Sequence, residues 1–418
     1  MSNKKLNGRA RGGVIGVLDI GTTKMCCFIA RRETPMPRIT GIGHQISRGI
    51  KNGIITDIEA ASQAILTTVH AAEQMAGEHL TEVVVNLSGG FSASRMIKTE
   101  INLNGREVSD ANMRRVLEHG FRIKEPAERA VIHSVPVGFA IDDGRPVRDP
   151  RGMYGHKLAV NMHIVTAESA AVRNVANCLG RCRLEIAAAV ASPYASGLAA
   201  LVDDESELGV TVIDMGGGTT TIGVFFDGNL VFAAGIPVGG SHVTNDIARG
   251  LTTPIAHAER MKALYGSAIP SAADERETIT VPLVGEEEDH ANHVPKSLLV
   301  GIISPRLEET FELVRDRLEN SGFDKIAGRR IVLTGGASQL PGTRELAGLI
   351  LDKQIRIGRP MRVDGLAEST AGPAFASAVG LIHFALAEHA EPQRRGRAGA
   401  EEPSGLFGRI GGWLRENL

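Results

Sequence analysis

The chain opens on short, almost unbroken apolar runs separated by glycine-bearing turns. Residues 14–20 form such a run and end in Asp19. The turn Gly21-Thr22-Thr23-Lys24 follows, and residues 25–31 return at once. Runs of this length bounded by turn residues predict buried strands. A third strand is predicted near 38–47. Ile58, Ala61, Ile65, Val69 and Ala72 then recur near helical spacing, so a helix is predicted over about 57–76, with a buried strand at 81–87. The same order restarts at Gly209. Residues 210–213 lead to Asp214, then Gly216-Gly217-Gly218-Thr219-Thr220, then a returning strand at 221–226. Asp227-Gly228 is a hairpin signal before a strand at 229–234. The two acid-plus-glycine turns lie 214 − 19 = 195 residues apart. One repeat at that distance predicts a duplicated domain rather than a solenoid.

Two stretches depart from the repeat. Residues 88–166 alternate predicted strands (96–103, 131–141, 157–165) with a helix near 109–119 that Ser109 would cap, and read as a small α/β insertion. A second insertion runs over 237–301 and carries an acidic loop at 286–289. Ser304-Pro305 then predicts the start of a helix to Asn320 with Gly322 beyond its end, and 330–334 a buried strand closed by Gly335-Gly336. From residue 389 the composition turns to Pro, Gly, Arg, Ala and Glu, as in a flexible linker.

Length changes the picture little, since 418 residues allow more than one core. A net charge of −2 and few aromatics speak against a nucleic-acid partner. Cys26–Cys27 and Cys178/Cys182 have no His/Cys cluster beside them, which predicts reduced thiols of a cytosolic protein rather than a metal site. Residues 1–13 are polar and basic, and are expected to be disordered. The following run is cut by Asp19, and no stretch is long enough to span a bilayer, so the expectation is a protein that stays inside the cell.

A strand that ends in Asp and turns through Gly-Thr-Thr offers successive backbone N–H groups to phosphate oxygens, while its carboxylate can hold a hydrated Mg²⁺. Either turn alone also reads as an ordinary glycine-rich hairpin. Facing one another, they would grip a polyphosphate. Asp19 and Asp214 would then share the metal, and Thr22, Thr23, Lys24 and Thr219 would add hydroxyl and ammonium contacts beside Gly21, Gly216, Gly217, Gly218 and Thr220.

The paired turns resemble the two phosphate motifs of the superfamily of actin, heat-shock chaperones and sugar kinases. Residues 187–201 (AAAVASPYASGLAAL) look like its first connecting helix and 371–381 (AGPAFASAVGL) like its second, with small residues where the two cross. Residues 331–342 (IVLTGGASQLPG) look like the adenosine motif, with Gly335, Gly336 and Ala337 at the base. The resemblance brings Glu259 and Lys262 to the ribose and adenine edge, though this i,i+3 pair alone reads equally as a solvated ion pair. Gly239 and Gly240 are carried to the nucleotide in the same way. Within the superfamily, the stretch 236–266, the segment TAESAAVRNV and the insertion at 88–166 are similar to the cell-division protein FtsA family.

This resemblance implies an α/β fold of duplicated actin-like (RNase H-like) domains around a nucleotide cleft, with ATP and Mg²⁺. Its parts would be a first subdomain (14–87, 167–200, 367–388), an SHS2-type insertion (88–166) and a second subdomain (201–236, 302–366). An outer subdomain (237–301), a linker (389–405) and an amphipathic tail (406–418) complete it. It further implies self-association, the C-terminal peptide of FtsZ as a partner at 237–301, and later division proteins at the insertion, on the cytoplasmic face of the cell membrane at the division site. Many relatives have Asp where this chain has Thr221, and that loss argues for slow or absent hydrolysis. Glu168 is acidic, but nothing in the sequence brings it to the γ-phosphate.

In the tail LFGRIGGWLRENL, Leu406, Phe407, Ile410, Trp413, Leu414 and Leu418 fall within an arc of about 140° on a helical projection. Gly408, Gly411 and Gly412 weaken the helix in water. A surface-bound helix on an anionic membrane and a terminal helix docked on its own domain both remain open, the long polar linker favouring the former. A sugar kinase and the pilus-assembly protein PilM remain as alternatives on the same nucleotide motifs.

Overall fold

The computed structural model describes residues 13–33, 36–90, 92–123, 125–286, 292–361 and 363–395. In chain order, β1 (Val14–Ile20), β2 (Lys24–Arg31) and β3 (Arg38–Ile46) precede a small ladder, β4 (Ile50–Lys51) and β5 (Ile54–Ile55). Helix α1 (Ile58–Ala76) and β6 (Glu82–Leu87) follow. The chain then makes an excursion through β7 (Ala93–Asn102), α2 (Asp110–Phe121) and β8 (Arg129–Ile141). It returns along β9 (Lys157–Glu168) into α3 (Ser169–Arg181), β10 (Glu185–Ala191) and α4 (Ser192–Ala200). After α5 (Asp203–Leu208) come β11 (Val210–Met215), β12 (Thr220–Phe226), β13 (Asn229–Ile236), α6 (Gly240–Gly250) and α7 (Ile255–Tyr265). A ladder of β14 (Thr278–Val281) and β15 (Asn292–Pro295) leads to α8 (Lys296–Ser321), β16 (Arg330–Thr334), α9 (Thr343–Leu351), β17 (Gln354–Ile357) and α10 (Ala376–Arg395).

The two large sheets run β3-β2-β1-β6-β10 and β13-β12-β11-β16-β17. In both, the first three strands are antiparallel and the other two join parallel to the centre. The repeat expected from the two turns is therefore a repeat of topology.

Side-chain alternation sets the layers. In β2, Met25, Cys27 and Ile29 pack with α1 and α3, while Cys26, Phe28 and Ala30 pack with α4 and α10. Cys26 and Cys27 thus face opposite sides of one sheet, and both are buried as free thiols. In the second half, Ile213, Met215, Ile222 and Val224 pack with α6, α8 and α9. Val210, Val212 and Phe225 pack against Ala200 and Leu201 at the end of α4. Helices α4 and α10 lie between the sheets and cross closely. Ser196 and Ser377 hydroxyls stand 2.8 Å apart there, and a Cβ on Gly380 would fall 1.7 Å from the Ala195 carbonyl oxygen. The insertion has its own sheet, β7-β9-β8, packed on α2, with Ser109 and Asn112 forming the capping box of that helix.

Four local expectations need correction. Residues 187–191 are strand, not helix, because β10 pairs in parallel with β6. That ladder outweighs the helix preference of alanine, and α4 starts only at Ser192 with Pro193 in its first turn. Ser304-Pro305 lies inside α8, which begins at Lys296. Pro305 removes one helical hydrogen bond to Gly301, an exposed residue, while the Ser304 hydroxyl donates to the Ala268 carbonyl at 2.7 Å. The second connecting helix begins at Ala376, after a single 3-10 turn at Pro373–Phe375. It continues to Arg395, into the stretch expected as linker. The tail at 406–418, residues 1–12 and most of the acidic loop at 286–289 fall outside the described residues. No helix among the described residues is long and apolar enough to cross a membrane.

The crossing yields a first prediction. Gly380→Ala forces α10 off α4 and destabilises the protein by about 1–3 kcal/mol, the usual cost of overpacking, read as a lower urea midpoint at unchanged slope. An unchanged midpoint would mean the helices do not touch there.

Candidate functional site

The β1–β2 and β11–β12 turns are built alike. Gly21 N–H donates to the Lys24 carbonyl at 3.1 Å, and Gly216 N–H to the Thr219 carbonyl at 2.8 Å. Asp19 pairs in register with Cys26, and Asp214 with Thr221. Both aspartates face the layer of α4 and α10. The tips meet across a pseudo-twofold: a Cβ on Gly217 would lie 2.4 Å from the Thr23 methyl, and one on Gly218 2.4 Å from the Thr22 hydroxyl. Thr22 Oγ1 also accepts from Gly53 N–H at 2.9 Å.

Under the tips lies a cavity of about 110 Å³. It is lined by Asp19, Gly21, Thr22, Thr23, Lys24, Asp214, Gly216, Gly217, Thr219, Gly335 and Gly336 from the expected set. Asn86, Ser88, Ser192, Thr221, Pro373, Ala374 and Ser377 complete the lining; Ser192 and residues 373–377 belong to the two connecting segments, which the sequence offers as crossing helices and not as site residues.

Both carboxylates are held by neutral donors. Asn86, on the strand beside β1, gives its Nδ2 to Asp19 Oδ1 at 2.7 Å and to Ser192 Oγ at 3.2 Å, while its own oxygen accepts from Ile20 N–H. Asp214 Oδ2 accepts from Ser377 at 2.8 Å and from Ser196. Burial pushes the Asp19 carboxyl up to about 6, against the pull of Lys24 and with a further push from Asp214. Burial raises Asp214 as well, opposed by the two serine hydroxyls and Lys24. The buried Asp19 and the half-buried Asp214, whose charge pushes on Asp19, stand beside a Thr221 hydroxyl without a partner among the described residues and form a donor set suited to a hydrated divalent cation.

Several expected residues stand behind the cavity rather than in it. The Thr220 hydroxyl turns away and donates to the Val238 carbonyl at 2.8 Å, because Thr220 pairs with Met215 on the core face of the hairpin. Thr221, one residue on, takes the cavity face. Gly239 and Gly240 brace the second turn: Gly240 N–H donates to the Gly216 carbonyl at 3.0 Å, and Gly239 packs against the Gly216 and Gly217 carbonyls. Lys262 Nζ reaches the Gly240 carbonyl at 3.1 Å, Thr244 Oγ1 at 2.8 Å and Glu259 at 2.7 Å, so the Glu259–Lys262 pair is tied to α6. Ala337 packs against Gly240. Glu168 ends β9 outside the cavity lining. Gly335, at φ +86°, admits no side chain, since a Cβ would lie 2.3 Å from Asp214 Oδ1.

The raised Asp19 carboxyl has a stability consequence. Between about 4, its unfolded value, and about 6, the folded state holds a proton that the unfolded state lacks, so this group costs stability as pH rises through that window. In metal-free buffer Asp19→Asn is therefore expected to match the wild type near pH 4 and exceed it by about 1–3 kcal/mol above pH 6. Urea unfolding across this range checks it; a difference of opposite sign would refute the assignment.

Known proteins resemble the chain in sequence and in fold. The family model described as cell division protein FtsA matches residues 211–380, and that of the SHS2 domain inserted in FtsA matches 89–166. A cell division protein FtsA of Rhizobium meliloti (strain 1021) is 47% identical over 98% of this chain and 96% of its own length. That of Pseudomonas aeruginosa is 34% identical over 97% and 99%. Among solved structures, a chain of the PilM-PilN type IV pilus biogenesis complex superposes with a TM-score of 0.62 at 19% identity, covering 88% of this chain and 97% of its own. MreB 5 of Spiroplasma citri bound to AMPPNP gives 0.55 at 14%, covering 92% and 99%. At such identities the structures speak for the actin-like fold alone, and the likeness to PilM goes no further. The near full-length identity decides the family: this chain belongs to the cell division protein FtsA family.

Proposed function

We propose that the chain is an ATP-binding division protein that assembles with its own copies and holds FtsZ filaments to the inner face of the cell membrane. The carrying observation is the cavity under two equivalent hairpins, where Asp19 and Asp214 face one another's charge beside two sets of turn amides. In this reading Asp19 and Asp214 hold a hydrated Mg²⁺, and the amides of both turns with Thr22, Thr23, Lys24 and Thr219 take the phosphates. Gly335, Gly336 and Ala337 would meet the adenosine, with Glu259 and Lys262 at its ribose edge. The fold neighbour bound to AMPPNP supports this use of the cleft. A 110 Å³ cavity is below the usual range of ligand pockets, so a nucleotide enters only as the tips part about the α4–α10 crossing. Thr221 offers a hydroxyl and no base to an attacking water, so hydrolysis is slow.

The remainder of the proposal rests on family membership. Residues 237–301 take the FtsZ C-terminal peptide, helped by the exposed Ile255 and Leu264 of α7. The insertion takes later division proteins. The apolar stripe Leu406, Phe407, Ile410, Trp413, Leu414 and Leu418 enters an anionic membrane surface at the division site. One short helix binds weakly, and assembly multiplies it.

Two measurements test these halves. Calorimetry with Mg-ATP should find Asp19→Asn and Asp214→Asn at least about tenfold weaker than the wild type, the loss expected for a charged contact. Undiminished affinity in folded variants would end the nucleotide reading. In liposome flotation the intact chain should rise with anionic vesicles, while Trp413→Glu and a chain lacking 406–418 should stay below; equal flotation of all three would remove the tail from the account.

A further inference from the structure

The Lys24 ammonium does not sit freely in the cavity. It donates to the Ala374 carbonyl and stands 3.5 Å from the centroid of the Phe375 ring. That ring is fixed: Phe375 is buried, stacks on Phe28 at 6.4 Å and meets His44 edge-on at 5.4 Å. Both of the ammonium's contacts belong to the 3-10 turn that starts α10. The same segment is bonded to the other half of the molecule. The Pro373 carbonyl accepts from Gly335 N–H and Thr334 Oγ1, each at 3.2 Å, and Ser377 donates to Asp214. Residues 373–377 therefore touch a cation from the first hairpin and a carboxylate from the second.

The ammonium stands between opposing fields. The N-terminus of a helix carries partial positive charge and repels it, while Asp19 and Asp214, the carbonyl and the ring face hold it in place. A polyphosphate in the cavity lined by Lys24 would offer the stronger, charge-assisted partner. We propose that Ala374 and Phe375 form a resting site for Lys24, from which a bound polyphosphate draws the ammonium, releasing the 3-10 turn that leads into α10. This rests on the reading of the cavity as a polyphosphate site. Phe375 is then a positioning residue that competes with the ligand for Lys24, and α10 is the element that senses whether phosphate is present.

A double-mutant cycle on the full-length chain tests it, with Phe375→Leu, Lys24→Met and their combination titrated by calorimetry with Mg-ATP and with adenosine. Removing the ring should tighten Mg-ATP by about two- to fivefold, the factor carried by one cation–π contact, and leave adenosine affinity unchanged. In the Lys24→Met background the same substitution should change nothing. Phe375→Met, unbranched and adaptable, serves if the leucine variant does not fold. A merely structural role for the ring would weaken both ligands in both backgrounds, and that outcome overturns the resting site. So does a ring-deletion effect that persists without Lys24. A wild type that binds adenosine and Mg-ATP equally overturns both this inference and the polyphosphate reading, whereas tight Mg-ATP binding without coupling overturns this inference alone.

Discussion

Two carboxylates drawn out of water beneath one pair of turns set the central constraint of this molecule, and loss of hydration weighs more there than their repulsion. Asp19 and Asp214 each end a central strand, each lose water on burial, and each feel Lys24. What makes the arrangement tolerable is the set of neutral donors. Asn86 holds Asp19 from the neighbouring strand, and Ser196 and Ser377 hold Asp214 from the two crossing helices. A buried acid with hydrogen-bond donors keeps much of the solvation it loses, but the residual cost remains in the fold. Sites of this kind are where a protein departs from its stability optimum for the sake of a ligand.

The duplication is imperfect for a steric reason. At the tips, Thr22 and Thr23 of one turn fill the space that side chains at Gly217 and Gly218 of the other would need. Two Gly-Thr-Thr tips would collide, and here one turn carries hydroxyls while the other has glycine at the facing positions. The partner positions Cys26 and Thr221 diverge in the same spirit: the thiol joins the apolar layer against α10, while the hydroxyl stays in the cavity.

Much of this was legible in the sequence because strands buried on both faces read as continuous apolar runs, and because an acid followed by a glycine turn is conspicuous. Both half-domains, α1 and the cavity residues of the two turns follow from that signal. The misreadings have local causes. The alanines at 187–191 carry helix propensity but belong to a ladder whose partner is far away in sequence. Pro305 marks a helix start by rule, yet a solvent-facing Gly301 lets it sit within one. Thr220 and Thr221 differ only by which face of a hairpin each takes, and that depends on register with Asp214. Asn86, Ser192 and Ser377 come from separate elements. The usable hint is a polar residue interrupting the apolar run VVVNL, and its side chain is the one that reaches Asp19.

If the tips part as proposed, the attachments of the insertion decide which half it follows. It grows from the first half, where β9 runs directly into α3 and the buried His133 Nε2 accepts from Ala191 N–H at 2.9 Å, just ahead of α4. It also reaches the second half, where Arg148 pairs with Glu207 and Asp227, and Ser94 Oγ accepts from Ala233 N–H at 2.8 Å. The two attachments differ in kind. Continuous strands and a buried hydrogen bond join the insertion to the first half, while the packing of Val165 among Phe225, Leu230 and Ala233, the Ser94 bond and the exposed arginine pairs join it to the second. A rotation of the halves about the α4–α10 crossing would therefore carry the insertion with the first half and break or slide its contacts on the second. The crossing itself, with Gly380 pressed on the Ala195 carbonyl, leaves little room for side chains to slip, so such a rotation would turn there. The insertion surface facing β13 would then differ between a closed and a parted cleft, giving the fold a physical route from the carboxylate pair to its outermost domain.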